Sequence, residues 1–381
     1  MNSWQRVVAA MQLSTPDRIP TYELHPSLKI FSTVLGKNTS EIMAHNPEAF
    51  FNLVASKGEV DLDKVNEQIA EELLNLYSKI GIDWIRVVKA YSKIPREVKR
   101  IGEHMWQVDG KTYLWSGETL WNLSEPETYD PDEVIRTCRN NSIEVDPLVF
   151  EVLRKLAAKV KKEMFLSFDA DGTWEPIVSN PNLLKHVLLW IHRRPDAVEA
   201  LINHNTDLAI EYGRWAIDEG ADAIQLCVDY GNQNGPWMSP AMFRKLVKPA
   251  LRREVDAFKK KGAFTVLHSD GYIMPILSDI VDTGIDAYQC IDVMAGMKMG
   301  EVKERFGDKI CLIGNVDPRI IEYGTKHDVE KEVERCLREG GREGYILSAS
   351  ASVALNNNVE NFIHMINYVK EKTLTSSNAW W

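Results

Sequence analysis

The hydrophobic positions of this chain fall into short apolar runs, each followed by a longer segment with helical periodicity. The runs are rich in β-branched residues, and polar or glycine-containing stretches separate them from the helical segments. Eight runs can be placed, at residues 19–24, 83–88, 165–170, 223–228, 264–268, 287–291, 310–314 and 345–349. Because strands that alternate with helices pair in parallel through right-handed crossovers, the pattern predicts an α/β fold.

The number of runs favours a closed (β/α)8 TIM barrel over an open sheet. A barrel with insertions can fill 381 residues, so we expect a single domain over residues 1–381. An open doubly wound sheet is the second choice, but no G-x-G-x-x-G motif follows the first run.

The segment between the second and third runs, about residues 90–160, is longer than a simple crossover. Its centre, HMWQVDGKTYLWSGETLWNLS, alternates polar with apolar residues and contains Asp109-Gly110, a strong hairpin signal. We expect an inserted β-hairpin followed by helical segments. Trp106, Trp115 and Trp121 give this insertion an aromatic face, which either covers the barrel mouth as a lid or packs against the scaffold.

Composition narrows the class of protein. The content of 44% hydrophobic and 26% charged residues is typical of a folded globular chain, and the net charge of -10 disfavours nucleic-acid binding. No run is long enough to span a membrane and the start of the chain lacks a signal-like core, so we expect a cytoplasmic protein. Five scattered cysteines without a C-x-x-C pair indicate neither disulfides nor a zinc ribbon.

In a parallel barrel the residues that follow the strands share one rim, where the chemistry is expected. The sharpest feature of this rim is VLHSDGYI, in which an apolar run ends in His268 and the chain turns at Asp270. This pair can ligate a divalent ion such as zinc, form an acid/base pair, or leave Asp270 as a helix cap. Glu23 lies at the end of the first run, and Asp229 directly follows the fourth run. The rim residues expected to bind substrate are Tyr230, Asn232, Trp174, Gln289, Asn315 and Ser350.

Five stretches carry the most recognisable motifs of the chain. They are WQRVVAAMQLSTPDRIP, DYGNQNGPWMSPAMFRKLVKPALRREVDAFKKKG, VLHSDGYIMPILSDIVDTGIDAYQCI, MKMGEVKERFGDKICLIGNVD and GGREGYILSASASV. They resemble the uroporphyrinogen decarboxylase superfamily over nearly the whole chain, which implies a (β/α)8 barrel. That superfamily contains decarboxylases of a tetrapyrrole's acetate arms and methyltransferases that use corrinoid proteins.

The chain departs from the decarboxylases at their substrate-binding positions. Those enzymes carry R-Q-A-G-R-Y after the first strand, an aspartate after the second and a histidine after the eighth, where this chain has LHPSLKIFS, KAYSKIP and Ala351. The resemblance therefore disfavours tetrapyrrole decarboxylation. A decarboxylase-like carboxy-lyase acting on a different acid stays the alternative, with Lys89, Arg86 and Arg319 as the cations available to it.

The chain also departs from the methyltransferases that act on coenzyme M, which place a zinc-bound His-x-Cys at the fifth strand and a cysteine after the eighth. It keeps His268 but has Asp270 and Ala351 at the cysteine positions. What remains resembles the corrinoid-linked O-demethylating methyltransferases. The resemblance implies transfer of a methyl group from a small donor, such as a methoxylated aromatic compound, to a corrinoid protein.

Such a reaction needs a Lewis acid or a proton donor, because an unassisted alkoxide or phenoxide is a poor leaving group. Under the resemblance the catalytic candidates are His268, Asp270, Asp229 and Glu23. Zinc is the candidate cofactor, with His268, Asp270 and Glu23 as its candidate ligands. The expected partners are the methyl donor, the corrinoid protein and a second copy of the chain in a homodimer. A non-catalytic binding barrel is the remaining alternative.

Overall fold

The computed structural model describes residues 1–57, 60–117, 119–124, 126, 128–351 and 358–375. The α-helices are α1 (Ser3–Met11), α2 (Leu28–Leu35), α3 (Pro47–Lys57), α4 (Leu62–Ile80), α5 (Pro131–Asn140), α6 (Glu151–Val160), α7 (Glu175–Val178), α8 (Pro181–Arg193), α9 (Pro195–Asp218), α10 (Pro240–Leu246), α11 (Lys248–Lys260), α12 (Met274–Val281), α13 (Met299–Phe306), α14 (Pro318–Tyr323), α15 (Lys326–Gly340) and α16 (Val359–Thr375). Short 3-10 helices lie at Thr39–Glu41 and Pro147–Phe150.

The strands are β1 (Trp84–Val87), β2 (Val98–Gly102), β3 (Met105–Val108), β4 (Lys111–Trp115), β5 (Leu120–Asn122), β6 (Phe165–Asp169), β7 (Ala223–Cys227), β8 (Gly231–Asn232), β9 (Gly235–Pro236), β10 (Phe264–His268), β11 (Ala287–Gln289), β12 (Cys311–Val316) and β13 (Tyr345–Ala349). Seven of them form a parallel sheet in the order β1-β6-β7-β10-β11-β12-β13, which is also their order along the chain. The ends of these seven strands, which form the central sheet, lie within two residues of the ends of the last seven predicted runs. Those predictions are therefore confirmed.

The first predicted run, residues 19–24, does not form a strand. It contributes one parallel bridge, between Thr21 and Leu347 of β13. On its other side Asp83, directly before β1, donates its backbone N–H to the Thr21 carbonyl at 3.1 Å. Pro20 has no N–H to donate to a sheet, which limits regular pairing here. The segment therefore contacts both edges of the central sheet, which curls towards itself as in a barrel.

A buried ion cluster around Asp83 fixes this segment. The carboxylate is fully buried, and it accepts hydrogen bonds of 2.8 Å from both Arg6 of α1 and Arg18. It also accepts the backbone N–H of Thr21 at 3.0 Å. Burying a carboxylate is costly unless cations and donors compensate it, and here they come from three separate parts of the chain. Asp83 thereby joins α1, the bridge segment and β1.

The helix before β1 begins and ends at clear sequence signals. Asp61 precedes α4, and its side chain accepts the backbone N–H of Lys64, while Gly81 ends the helix with a φ of 78°. Leu73 and Leu76, among others, are buried on its inner face. No helix within the described ranges is long and apolar enough to cross a membrane.

The segment between β1 and β6 forms a second sheet, the inserted sheet, in the antiparallel order β2-β3-β4-β5. It has more strands than the single hairpin expected. β3 and β4 are joined at Asp109-Gly110, where φ is 47° and 81°, as a two-residue type I′ turn requires. Glu48 of α3 accepts the Trp106 indole N–H at 3.2 Å and lies 2.9 Å from His104 Nδ1. Glu48 thus fastens the inserted sheet to the helices before β1.

Candidate active site

A cleft of about 620 Å³ opens at the carboxyl ends of the central strands. Its base comes from the ends of β1, β7 and β10, and one wall comes from the inserted sheet. The lining side chains are Leu24, His25, His45, Pro47, Arg86, Val88, Trp115, Thr119, Leu120, Trp121, Glu175, Val178, Ser179, Cys227, Asp229, His268 and Asp270. Three of the predicted catalytic residues, His268, Asp270 and Asp229, therefore share one cleft.

His268 is the last residue of β10 and is only 5% exposed. Its Nδ1 atom contacts Oε1 of Gln289, its register partner on β11. Its Nε2 atom lies 3.5 Å from Oδ1 of Asp229 and 3.6 Å from Oδ1 of Asp270. With the amide oxygen accepting from Nδ1–H, the ring turns its Nε2 atom towards the two carboxylates.

Further contacts hold the two carboxylates in place. Oδ1 of Asp229 accepts the backbone N–H of Asp270 at 2.8 Å, and the Cys290 thiol donates to Oδ1 of Asp270 at 2.9 Å. Burial raises the pKa of Asp270, against the opposing effect of His268. Burial also raises the pKa of the Cys290 thiol well above its usual range, so this thiol stays a donor at neutral pH.

A glycine allows the turn after His268 to pack closely. Gly271 has a φ of 85°, and a Cβ atom there would lie 2.7 Å from the backbone nitrogen of Asn232. Only glycine accommodates both the positive φ and this contact without strain. The close approach brings the turn after β10 against the loop after β7, so that Asp270 lies beside Asp229.

The donor atoms of Asp229, His268 and Asp270 fit a divalent metal ion. They all lie within 4.8 Å of one another. Ligands about 2.1 Å from a tetrahedral zinc ion are about 3.4 Å apart, close to the two distances measured from His268 Nε2. Neutral imidazole and carboxylate are both zinc ligands, and Gln289 supplies the outer hydrogen bond that such a histidine usually makes.

Glu23 does not belong to this group of donor atoms, in which Asp229 lies with His268 and Asp270. The Glu23 carboxyl is fully buried, and it accepts backbone N–H groups from Leu24 at 3.1 Å and Ala349 at 3.5 Å. Burial raises its pKa to about 8. The sequence placed Glu23 after a strand, but the short bridge at Thr21 directs its side chain into contact with β13.

Arg86 lies in the cleft but is already paired. Its Nε atom donates to Oδ1 of Asp169 at 3.0 Å, its Nη2 atom contacts Oδ2, and its Nη1 atom donates to the Leu24 carbonyl at 2.9 Å. Asp169 also lies near Asp171 and Cys227. Burial, followed by the charge of Asp169, raises the pKa of Asp171 to about 8. The adjacent guanidinium disfavours a second metal ion among these three side chains.

Two histidines meet at the opposite side of the base. The rings of His25 and His45 are 4.9 Å apart and nearly perpendicular. Burial lowers the pKa of His25 to about 3 and holds the pKa of His45 well below its usual range, so both rings are neutral. Among the described side chains, Nε2 of His45 is buried without a hydrogen-bond partner.

A family model described as uroporphyrinogen decarboxylase (URO-D) matches residues 121–372. The chain belongs to the uroporphyrinogen decarboxylase family. Among curated family members it is 25% identical over 189 residues to uroporphyrinogen decarboxylase from Chlorobium phaeobacteroides, covering 48% of this chain and 52% of that protein. It is 26% identical over 232 residues to uroporphyrinogen decarboxylase 2, chloroplastic, from Arabidopsis thaliana, covering 59% and 57%. The chain spans about half the length of the curated relatives it matches.

A solved structure of a methyltransferase from Methanosarcina mazei is similar over the whole chain. The TM-score is 0.70 at 19% sequence identity, and the match covers 98% of this chain and 99% of the other. At this level of identity the likeness shows a shared fold. The curled parallel sheet and its helices are therefore an arrangement also found in that solved structure.

All six residues expected to bind substrate lie outside the described lining of the cleft, and three of them have side chains in the interior. Trp174 is fully buried at the start of α7, where its indole packs in the core. The Tyr230 hydroxyl lies 2.6 Å from the Thr173 hydroxyl, also in the interior. Asn315 donates to the Ile291 carbonyl at 3.0 Å. In this family member their strand-end positions are as predicted, but their side chains are engaged by the scaffold.

The other three occupy supporting positions. Gln289 orients His268, and the backbone carbonyl of Ser350 contacts the Cys290 thiol behind Asp270. The side chain of Asn232 accepts the backbone N–H of Asn234 at 2.8 Å within its own loop. Their substrate-binding role stays a prediction. Ser352, a further polar residue after the last predicted run, and the C-terminal pair Trp380-Trp381 lie outside the described residues.

Several lining residues were not predicted as site residues. Trp115 and Trp121 were assigned to an aromatic face that either covers the mouth or packs on the scaffold, and both line the cleft, whereas Trp106 is buried. His45 lies in a loop before α3, far from any predicted strand end. Cys227 lies at the end of a predicted strand, but the sequence alone indicates only a buried thiol there. The local sequence around His45 carries no signal that could have identified it.

Proposed function

We propose that this protein is a methyltransferase that moves a methyl group from a small methylated substrate to a cobalt(I) corrinoid carried by a partner protein. Methoxylated aromatic compounds are among the candidate donors. The observation that carries the proposal is the convergence of His268 Nε2 with Asp229 and Asp270 at the base of the cleft. The full-length likeness to a methyltransferase supports it.

In this proposal Asp229, His268 and Asp270 hold a zinc ion. A bound zinc ion supplies a Lewis acid, which stabilises negative charge on the donor's oxygen as the methyl group leaves. The protein's own contribution is to orient the ligands: Gln289 fixes the tautomer of His268, and Cys290 donates to Asp270. The inserted sheet limits access of water to the cleft from one side.

The same residues also fit direct proton transfer. Because burial raises the pKa of Asp270, its carboxyl group holds a proton more readily and can donate it to a leaving oxygen. The oxygen–methyl bond then breaks with its electron pair on oxygen, the proton neutralises that oxygen, and the new methyl–cobalt bond uses the electron pair of the acceptor. Metal-assisted and proton-assisted transfer thus use one set of side chains.

A carboxy-lyase acting on another acid is the second candidate. The curated relatives are named uroporphyrinogen decarboxylase, and Arg86 in the cleft is a cation of the kind a carboxylate substrate needs. However, Arg86 is paired with Asp169 and bonded to the Leu24 carbonyl, so a substrate carboxylate must displace an existing partner. This arrangement favours methyl transfer over decarboxylation.

Elemental analysis of protein purified without chelator is the first test. We expect near-stoichiometric zinc in the wild type and its loss in His268→Ala. Retention is expected in His364→Ala, a control on α16 that contacts Glu330 outside the cleft. If zinc is found, the next assay mixes the protein with cobalt(I) corrinoid and a methoxylated donor and follows the absorbance change of the corrinoid. Absence of metal even after incubation with zinc would contradict the metal-assisted form. Release of carbon dioxide from small acids without methyl transfer would overturn the proposal.

A further inference from the structure

The charges that line the cleft do not cancel. Asp229, Asp270 and Glu175 contribute carboxylates, and within the described lining the cation is Arg86. Because Arg86 forms an ion pair with Asp169, it adds no net positive charge. A divalent ion held by Asp229 and Asp270 would neutralise those two carboxylates and leave the carboxylate of Glu175. The described lining therefore holds three carboxylates and one guanidinium, which Asp169 already pairs.

Besides His268, the cleft contains His25 and His45, and these two histidines do not change this balance. Burial lowers the pKa of His25 to about 3 and holds the pKa of His45 well below its usual range. Both rings are neutral at pH 7, since each would need a pH below its pKa to gain a proton. An anionic ligand would thus meet carboxylates and these two neutral rings, and the guanidinium of Arg86 in the described lining is already paired with Asp169.

Glu175 is the carboxylate best placed to act as a counter-ion. It is the first residue of α7 and lines the cleft beside the inserted sheet. Among the described residues, no lysine or arginine nitrogen lies within 4.0 Å of its carboxylate. Burial raises its pKa, which a cation bound beside it would lower again. The charge of Lys89 opposes this effect on the pKa of Glu175, but its Nζ atom lies over the Tyr212 ring, 4.5 Å from the ring centre.

Aromatic rings form the wall next to this carboxylate. Trp115 of β4 is 5% exposed and Trp121 of β5 is 38% exposed, and both line the same cleft as Glu175. The faces of indole rings attract cations, most strongly those that shed water easily, such as methylated ammonium groups. Glu175 has a side-chain hydrogen bond with Ser179 but no ion-pair partner among the described residues. A carboxylate of this kind in a cleft lined by two indoles is a combination that recognises ammonium compounds.

We propose that the substrate of this cleft carries a positive charge on an ammonium group, which binds against Trp115, Trp121 and Glu175. The inference rests on the proposed function and narrows its donor to small cationic methylated compounds. It concerns how the donor binds: the donor carries the ammonium group in addition to its O-methyl group, so the transfer step stays as described above.

Matched ligands of one shape and three charges test this inference. Choline, its uncharged carbon isostere 3,3-dimethylbutan-1-ol and the anion 3,3-dimethylbutanoate can be titrated into the wild-type protein by calorimetry, before and after zinc loading. We expect choline to bind at least about tenfold more tightly than the alcohol, since a desolvated cation–π contact is worth about that factor. The anion should bind most weakly. Equal binding of choline and alcohol, preference for the anion, or no choline binding at millimolar concentration would overturn the proposal.

Variants locate the interaction. Glu175→Gln and Trp121→Leu should each weaken choline binding. In Glu175→Gln the affinity for the uncharged alcohol should stay within about twofold of the wild-type value. Glu301→Gln, which removes an exposed carboxylate from α13, is the matched control and should bind choline like the wild type. Unchanged choline binding in both cleft variants would contradict the assignment.

This inference and the proposed function can fail separately. The titrations need no corrinoid, so choline selectivity without any methyl transfer would retain a cation-binding cleft and remove the methyltransferase. Methyl transfer from uncharged donors, with no preference for choline over its isostere, would retain the methyltransferase and remove the cation-binding cleft.

Discussion

The Nδ1 atom of His268 contacts Oε1 of Gln289 on the neighbouring strand, and this contact determines which ring nitrogen faces Asp229 and Asp270. The two residues are register partners in β10 and β11, so the pairing of the strands itself aligns them. Since an accepting amide oxygen keeps the proton on Nδ1, the lone pair on Nε2 remains available for a metal ion or a proton.

Replacing Gln289 should therefore affect metal affinity more than folding. In Gln289→Leu the ring loses its acceptor, and we expect the zinc affinity to fall about 10- to 100-fold, the usual cost of losing such an outer partner. Competition with a chromophoric chelator measures the change. Gln289→Glu keeps an acceptor at the same place and should retain most of the affinity. Wild-type affinity in the leucine variant would show that Gln289 does not orient His268.

Removal of the Asp83 carboxylate should destabilise the fold. Asp83→Ala leaves the guanidinium groups of Arg6 and Arg18 without their shared buried partner, and the expected loss is about 3 to 5 kcal/mol in the free energy of unfolding. Urea denaturation measures it. Asp61→Ala, which removes only the cap of α4, should cost about 1 kcal/mol. A loss in Asp83→Ala no larger than in this control would contradict the role assigned to the cluster.

Glu23 should make stability depend on pH. Burial raises its pKa from 4.5 to about 8, so between these values the folded protein holds a proton that the unfolded chain has released. Wild-type stability should fall as the pH rises through this window. In Glu23→Gln the loss is absent, and the variant should be more stable at pH 8 by on the order of 3 kcal/mol. Thermal or urea unfolding from pH 5 to pH 8 tests this. Parallel stability curves for the two proteins would refute it.

The inserted sheet should loosen without Glu48. This carboxylate receives the Trp106 indole N–H and contacts His104, both in or beside β3. In Glu48→Ala we expect faster amide hydrogen exchange across β2, β3 and β4, with unchanged protection of the central strands, because the two sheets are separately paired. Glu103→Ala, in the exposed turn between β2 and β3, serves as the control. Exchange that is equal in both variants would show that other contacts hold the sheet.

The sequence allowed most of the central sheet to be predicted, for a physical reason. Parallel strands are buried on both faces, so each leaves a continuous apolar run, as at 264–268 and 345–349. The run at 19–24 is also rich in apolar residues, but it contains Pro20 and Glu23. Its pairing is reduced to the bridge at Thr21, because pairing depends on partners that a local pattern does not describe.

The candidate site was predictable where it follows from strand ends. His268, Asp229 and Asp270 lie directly after strands, and the parallel sheet brings them together. Trp174 shares that kind of position, but the packing of its side chain into the core depends on tertiary contacts. The walls of the cleft were harder to foresee. Trp121 comes from a sheet whose placement over the central strands has no signature in the local sequence.

The base and the wall of the cleft are encoded by different pieces of chain. His268, Asp229 and Asp270 belong to the central strands, whereas Trp115 and Trp121 belong to a sheet inserted between β1 and β6, with its own hydrogen bonding. Substitutions, insertions or exchange of that one segment can alter which ligand is selected while the reactive groups keep their geometry. Within a family, such a division allows substrate preference to diversify by replacing a single module.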